Sequence, residues 1–169
     1  MTERTVGEMG EIAVVERILA MTASTHAHAD PGTEESRADS GRVTVGPGDD
    51  AAVVAAPDGR VVITTDMLVE GRHFRRDWSR AEDIGCKAAA ENLADIAAMG
   101  ARATGLVVAL ALPPETDVAW VDGFLEGLLE EAARAGTTLL GGDLVAADSI
   151  TIGVTAFGDL GGRRPVLRS

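Results

Sequence analysis

Several residue types that mark particular protein classes are scarce in this chain of 169 residues. It has one cysteine, Cys86, which excludes an internal disulfide and predicts a reducing, cytoplasmic environment. Tyrosine is absent and aromatic residues are 3% of the chain, so platforms that stack nucleic acid bases are not expected. No apolar run approaches the roughly 20 residues that span a bilayer, and the first residues do not resemble a secretory or transit signal.

Basic residues are also in the minority. The chain has 15 lysines and arginines against 27 aspartates and glutamates, which gives a formal net charge of −12. Because a nucleic acid backbone is usually bound by a basic stripe, this balance argues against such a partner. It agrees with a protein that holds anionic phosphates through metal ions, although an acidic surface also serves ordinary solubility.

Aspartates recur at the ends of apolar segments, each beside glycine, threonine or asparagine. They are Asp49, Asp50, Asp66, Asp95 and Asp143. Two carboxylates about 4 Å apart repel by roughly 4 kcal/mol at a near-surface dielectric, so a fold that gathers several of them needs a cation. Magnesium prefers carboxylate, hydroxyl and phosphate oxygens. If the fold brings these segment ends to one place, the aspartates form a metal–phosphate site.

Periodicity and capping signals predict three helices. The first helix is predicted over 7–21 and begins with a capping box at Thr5 and Glu8. The second begins with a capping box at Ser79 and Glu82 and ends near Met99. The third is marked by an apolar stripe over 117–135. Residues 23–41 have no period and are predicted to form a flexible loop. His26 and His28 lie in that loop, and without a nearby third ligand we do not expect them to bind a metal.

The remaining apolar segments predict strands. Segments 51–56 and 60–65 flank a turn at 57–59 and are expected to pair as a hairpin. Further strands are predicted over 104–112, 137–140 and 150–157. The resulting order, β-β-α-β-α-β-β after the first helix, describes an α/β or α+β layer within one domain spanning residues 1–169.

Each motif also has a purely structural interpretation. Gly46-Pro-Gly-Asp-Asp50 is either a ligand loop or a plain turn, and Thr64-Thr-Asp66 is either a metal site or a capped strand end. Lys87 and Glu91 fit a solvated ion pair, whereas Asn92 and Asp95, at i,i+3 on a helix, favour a site. Gly141-Gly-Asp143 follows a short apolar strand, where glycines permit close approach to a phosphate. The lysine-bearing phosphate loop, the dinucleotide glycine motif and zinc patterns are absent.

Taken together, the motifs resemble those of thiamine-monophosphate kinases, in the aminoimidazole-ribonucleotide-synthetase-like superfamily. The matching stretches are Gly48-Asp-Asp-Ala51, Thr64-Thr-Asp-Met-Leu-Val-Glu-Gly71 with His73-Phe74, Lys87 through Ala101, Trp120, and Gly141-Gly-Asp143. The resemblance covers the chain outside residues 23–41 and about the N-terminal half of the family's length. It implies a mixed sheet with helices on one face, which dimerises through a β-barrel, and a C-terminal domain absent from this chain.

The resemblance also implies an activity, namely transfer of the terminal phosphoryl group of ATP to thiamine monophosphate with Mg²⁺. The implied metal ligands are Asp50, Thr64, Thr65, Asp66, Asp95 and Asp143. His73 would touch thiamine monophosphate, and Gly142, Asp143 and Arg168 would contact ATP. Two alternatives stay open: another superfamily enzyme, of hydrogenase maturation, selenophosphate or purine synthesis, or a noncatalytic fragment that dimerises and binds metal or nucleotide.

Overall fold

The computed structural model describes residues 4–27 and 43–168. The helices are α1 (Val6–Met9), α2 (Glu11–Ala27), α3 (Ala81–Ala98) and α4 (Val118–Arg134). The strands are β1 (Val43–Val45), β2 (Val53–Val54), β3 (Val62–Val69), β4 (Arg102–Leu112), β5 (Leu139–Ala146) and β6 (Thr151–Asp159). Among these described residues, no helix combines the length and the apolar character needed to cross a membrane.

Four strands form a mixed sheet in the order β3-β6-β4-β5. Strand β6 pairs antiparallel with both β3 and β4, whereas β4 and β5 are parallel and are joined through α4. A parallel pair requires such a crossover, since a short turn cannot return the chain to the start of a neighbouring strand. The mixed sheet predicted by the resemblance is therefore confirmed. Strands β1 and β2 pair separately.

The two faces of the four-stranded sheet differ in burial. On β6, Ile152, Val154 and Ala156 are buried in the core with residues of α3 and α4. The residues between them point to the opposite side, because side chains alternate along a strand. On β3, that opposite side carries Ile63 and Met67, whose exposed fractions are 61% and 60%. The helices of the described chain thus cover one face, as predicted, and we call the other the open face.

Helices α3 and α4 approach so closely that glycine is required where they cross. A Cβ atom at Gly85 would lie 1.9 Å from the carbonyl oxygen of Phe124, and one at Gly127 would lie 1.9 Å from that of Glu82. Real Cβ atoms do not come that near to backbone. The glycines therefore let α4 pack against α3, which in turn lies on the sheet and fixes the position of the α3 side chains.

The N-terminal helix is longer and less continuous than predicted. Its capping box is confirmed, with the Thr5 hydroxyl accepting from the Glu8 amide and the Glu8 carboxylate accepting from the Thr5 amide. Gly10, at φ +81°, separates α1 from α2. Helix α2 then continues to Ala27, so the predicted loop is wrong for residues 23–27. Residues 28–41, His28 and the side chain of His26 lie outside the described part.

The predicted hairpin between 51–56 and 60–65 is wrong. The turn itself is present, since the Gly59 amide donates to the Ala56 carbonyl at 2.9 Å. However, β2 pairs with β1 while β3 pairs along its whole length with β6, from Val62 opposite Gly158 to Val69 opposite Thr151. A two-residue strand offers far fewer ladder hydrogen bonds than this long partner.

Two other boundaries move. The N-cap of α3 is Arg80 rather than Ser79, and its amide donates to the Asp83 carboxylate at 3.1 Å. Glu82 instead pairs with the Arg80 guanidinium at 2.7 Å. Gly100, at φ +74°, ends the helix as predicted. Strand β5 extends to Ala146, so Gly141-Gly-Asp143 lies within a strand rather than after one.

Candidate functional site

Polar side chains meet where the edge strand β3 lies beside helix α3. The Thr64 hydroxyl donates to Asp95 Oδ2 at 2.9 Å, and the Asp66 amide donates to Asn92 Oδ1 at 3.1 Å. Thr64 and Asp66 are two positions apart, so both side chains face the helices. We call Thr64, Asp66 and Asp95 the β3–α3 edge. It groups two carboxylates and a hydroxyl, as the sequence predicted for these three residues.

Asn92 supports the β3–α3 edge from its buried side. Its side chain is buried, and its Nδ2 donates to the Ala88 carbonyl at 3.1 Å while its Oδ1 receives the Asp66 amide. Both polar ends are therefore engaged with backbone. The spacing of Asn92 and Asp95 indicated a site for both residues. In the structure Asn92 fixes the backbone at Asp66, and the Asp95 carboxylate is the one presented at the edge.

The Thr65 hydroxyl lies on the open face, away from the β3–α3 edge. It donates to the Val154 carbonyl at 2.9 Å and accepts from the Thr155 hydroxyl at 3.1 Å. Strand alternation forces this separation, because neighbouring residues point to opposite faces. Thr64 and Thr65 therefore do not offer their hydroxyls to one site within this chain.

Asp143 is also on the open face, at the opposite edge of the sheet. Asp143 on β5 pairs in register with Ala109 on β4. Ala109 pairs with Gly153 on β6, and Gly153 pairs with Met67 on β3, so these four residues point to the same face. Strands β3 and β5 are three strand spacings apart, or about 14 Å. Within the described residues, no three His, Cys, Asp or Glu side chains are grouped closely enough to hold a metal ion. The expectation that all the aspartates converge is thus wrong for one copy of the chain.

The other predicted contacts are spread over three places. Asp50 is exposed in the loop between β1 and β2, where its amide donates to Asp49 Oδ1 at 2.8 Å. A Cβ at Gly142 would lie 2.0 Å from the Val108 carbonyl oxygen, so strand packing alone requires glycine there. Arg168 is exposed in the extended segment after β6, which is tied to α3 by a hydrogen bond from the Val166 amide to the Met99 carbonyl.

His73 lies in a cavity of about 310 Å³ beside the N-terminal part of α3. The Val69 amide donates to His73 Nδ1 at 3.0 Å, so this nitrogen is the acceptor and the ring proton is on Nε2. Lys87 donates to the His73 carbonyl at 2.7 Å and lies 3.6 Å from Glu91, which confirms the predicted ion pair. The bond from Val69 orients the imidazole, and the bond from Lys87 holds the backbone of His73.

Arg75 and Trp78 line the same cavity, and the sequence analysis missed them because neither belongs to any of its motifs. The Arg75 guanidinium lies over the Trp78 ring, 4.6 Å from its centroid, and pairs with Asp77 at 2.7 Å. The hydrogen bond from Arg75 holds the pKa of Asp77 below its usual value. A tryptophan among charged residues, in Arg75-Arg-Asp-Trp78, was the available signal in a chain with 3% aromatic residues.

With this geometry in place, comparison with known proteins decides the family. Residues 48–160 match the family described as AIR synthase related protein, N-terminal domain. This chain belongs to that family. The match includes β3 and α3, which build the β3–α3 edge, and the segment between them that lines the His73 cavity, and it ends one residue after β6.

Several relatives of the chain are named thiamine-monophosphate kinase. The chain is 47% identical over 165 residues to the thiamine-monophosphate kinase of Mycobacterium tuberculosis, covering 98% of this chain and 45% of that protein. The crystal structure of thiamine-monophosphate kinase from Stenotrophomonas maltophilia matches with a TM-score of 0.66 at 35% identity, over 88% of this chain and 42% of that one. AaThiL complexed with AMPPCP and TMP matches with a TM-score of 0.59 at 25% identity, over 89% and 42%. The chain therefore spans about half the length of the relatives that it matches.

Proposed function

We propose that this chain is the N-terminal, ATP- and Mg²⁺-binding half of a thiamine-monophosphate kinase. The reaction transfers the terminal phosphoryl group of ATP to the phosphate of thiamine monophosphate and gives thiamine diphosphate. The observation that carries the proposal is the β3–α3 edge, where Thr64, Asp66 and Asp95 present only oxygen donors in a family member 47% identical to a named thiamine-monophosphate kinase. The AMPPCP and TMP bound to AaThiL support the two substrates.

The donor set of the edge fits Mg²⁺, a hard cation that takes carboxylate and hydroxyl oxygens. Asp66 and Asp95 would hold the ion, and Thr64 would add its hydroxyl oxygen while its O–H continues to donate to Asp95 Oδ2. When bound, Mg²⁺ neutralises phosphate charge and orients the phosphates for in-line transfer. The acceptor is an anionic phosphate oxygen, so no general base among the residues of this chain is required.

The protein's own part in such a reaction is positioning. Asn92 fixes the backbone of Asp66, and the α3–α4 contact fixes α3, so the two carboxylates are held on rigid elements. Small misplacements of reacting groups can cost about 100-fold in rate. We therefore expect the 169-residue chain alone to form thiamine diphosphate slowly or not at all, since it spans about half of its relatives.

Calorimetry tests the metal and nucleotide parts of the proposal. ATP should bind the chain in the presence of Mg²⁺ and bind far more weakly in EDTA. Asp95→Asn should weaken Mg²⁺-dependent binding at least tenfold, whereas the matched change Asp148→Asn, at an exposed aspartate between β5 and β6, should leave it unchanged. Equal affinity for ATP with and without Mg²⁺ would refute the metal site.

Competition binding tests the substrate assignment. Thiamine monophosphate should bind in preference to selenide or a purine-synthesis intermediate. Preference for one of those compounds would assign the chain to another enzyme of the superfamily. Binding of none of them, together with weak nucleotide binding and a discrete dimer, would identify a noncatalytic module.

We also propose that two copies associate through the open face into a β-barrel. The apolar strand β4 is not a free edge that could pair with a second copy, because it lies between β6 and β5. The open face supports association instead, since Ile63, Met67 and Val145 are exposed on it. Thr65 and Asp143 also point to the open face. A second sheet packed on that face would bring residues of the other copy close to Thr65 and Asp143, which lie far apart within one chain.

Light scattering at tens of micromolar tests the association. The wild-type chain should have the mass of a dimer, and Met67→Glu should yield monomers because it places a charge in the middle of the open face. Val166→Glu changes an equally exposed apolar residue outside the sheet and should stay dimeric. A monomeric wild-type chain would count against the barrel.

A further inference from the structure

The turn at residues 75–78 holds an exposed indole in a fixed orientation. Trp78 is 76% exposed, yet its ring is covered on one side by the Arg75 guanidinium at 4.6 Å. Arg75 is itself held by Asp77 through hydrogen bonds of 2.9 and 2.7 Å, and the Trp78 amide donates to the Arg75 carbonyl. A large aromatic side chain that is restrained before it meets a ligand loses less conformational entropy on binding.

The cavity beside this indole has a lining with several positive groups, although the whole chain is strongly acidic. Arg72, Arg75 and Lys87 line it together with the imidazole of His73, against one carboxylate, that of Asp83. Arg75 and Lys87 have acidic partners, whereas Arg72 has no ion-pair partner in the part of the chain that the structure describes. His73 Nε2 carries the ring proton. Arg72 and His73 can therefore donate to an anionic oxygen.

The volume and the chemistry of the walls select a class of ligand. About 310 Å³ is at the small end of the range for small-molecule sites. The walls combine an indole ring, hydrogen-bond donors and the buried side chains Phe74 and Ile84. An aromatic heterocycle that carries a phosphate satisfies all three, and a positive charge on the heterocycle would add a cation–π attraction to the indole. A bare phosphate would leave Trp78 exposed.

We propose that Trp78 is a specificity-determining residue that packs on a ring of thiamine monophosphate bound in the His73 cavity. Arg72 and His73 hold the phosphate end, and Arg75 is the positioning residue that keeps the indole oriented. This inference rests on the proposed function. It adds two residues, Trp78 and Arg75, that no motif of the sequence indicated.

Fluorescence reports on Trp78 alone once Trp120 is replaced, because the chain has only two tryptophans. Trp120 stacks on Phe124 at 5.7 Å, and its buried indole N–H has no hydrogen-bond partner among the described residues, so Trp120→Phe should fold normally. In that variant, thiamine monophosphate should quench the remaining emission of Trp78. Inorganic phosphate at the same concentration should not.

Affinity measurements complete the test. Trp78→Leu should weaken thiamine monophosphate binding at least fivefold, Trp78→Phe should restore most of the loss, and both should leave Mg²⁺-dependent ATP binding unchanged. Arg75→Gln should show an intermediate loss. The matched control Trp120→Phe should bind both ligands like the wild type.

Different results would refute the proposed function and the inference about Trp78. If the wild-type chain does not bind thiamine monophosphate by calorimetry, the proposed substrate is wrong and this inference falls with it. If the wild type binds it but the emission of Trp78 is unchanged and Trp78→Leu binds equally well, only the inference is overturned. A loss of ATP binding in Trp78→Leu equal to the loss of thiamine monophosphate binding would also overturn it, since it would show a general structural role.

Discussion

The side-chain oxygen of Asn92 accepts the backbone amide of Asp66 at 3.1 Å, and this bond ties the middle of β3 to the middle of α3. Asn92 is 1% exposed and its amide nitrogen donates to the Ala88 carbonyl, so both polar ends of the side chain are engaged with backbone and away from solvent. One buried amide therefore sets the backbone position of a residue that we assign to the metal.

Asn92→Ala should destabilise the protein by about 1–3 kcal/mol, because it leaves the Asp66 amide without its partner in a half-buried place. For a chain of this size, that corresponds to a fall in Tm of roughly 2–12 °C by calorimetry. Glu91→Ala is the matched control. It removes only a half-exposed pair with Lys87 at 3.6 Å and should change stability by less than about 1 kcal/mol. Equal Tm values for both variants would show that the buried bond does not matter.

Asp95→Asn should separate ligand binding from folding. The asparagine oxygen can still accept the Thr64 hydroxyl, and loss of one charge beside Asp66 relieves repulsion, so the Tm without metal should be unchanged or slightly higher. Mg²⁺ should raise the Tm of the wild type, since a ligand that binds only the folded state stabilises it, and should fail to raise that of the variant. A sharp fall in Tm without metal would make Asp95 a structural residue.

Local signals were the part of this fold that the sequence predicted well. The capping box at Thr5 and Glu8, the stop at Gly100 and the helix that begins after Asp117 all depend on residues within one turn of each other. Strand pairing depends on residues far apart in the chain. The partner of β3 is β6, about 90 residues later, and nothing between residues 51 and 65 indicates it.

The same difference between local and long-range contacts decides which parts of the candidate site could be predicted from the sequence. Thr64, Asp66 and Asp95 do lie at one place, as the sequence predicted, because β3 and α3 pack directly on each other. That they bind a metal stays a proposal. Within one chain Asp143 does not lie with them, because it is at the opposite edge of the sheet. Its face depends on where β5 begins and on which edge of the sheet β5 takes, and both follow from the crossover through α4 rather than from the Gly141-Gly-Asp143 motif.

Gly127→Ala should destabilise the protein even though it places a better helix former within α4. In an open helix this change contributes about 1 kcal/mol of stability. Here the new methyl group would lie 1.9 Å from the backbone oxygen of Glu82, so overpacking should cost about 2 kcal/mol or more and lower the Tm by several degrees.

The control for that change lies one turn earlier in the same helix. A methyl at Gly123 would be 3.2 Å from the Ala81 methyl and from the Glu82 side chain, which is tight but is made by side-chain atoms. Gly123→Ala should therefore cost clearly less than Gly127→Ala in chemical denaturation. Stabilisation by Gly127→Ala would show that the helices can move apart at no cost.

Cys86 tests the contact between α3 and α4 by its chemistry. Burial raises the pKa of the thiol, and the hydrogen bond that Sγ donates to Glu131 Oε2 at 3.4 Å raises it further. The reactive form is the thiolate, so the thiol should remain protonated, and react slowly with iodoacetamide, at a pH where an exposed cysteine is already deprotonated.

Glu131→Gln removes the negative charge beside Cys86 and should lower the pKa of the thiol. Its alkylation rate should then rise at lower pH than that of the wild type, with both rates converging at high pH. A uniform increase at every pH would instead indicate that Glu131→Gln opens the contact between the helices, and identical profiles would show that Glu131 does not influence the thiol.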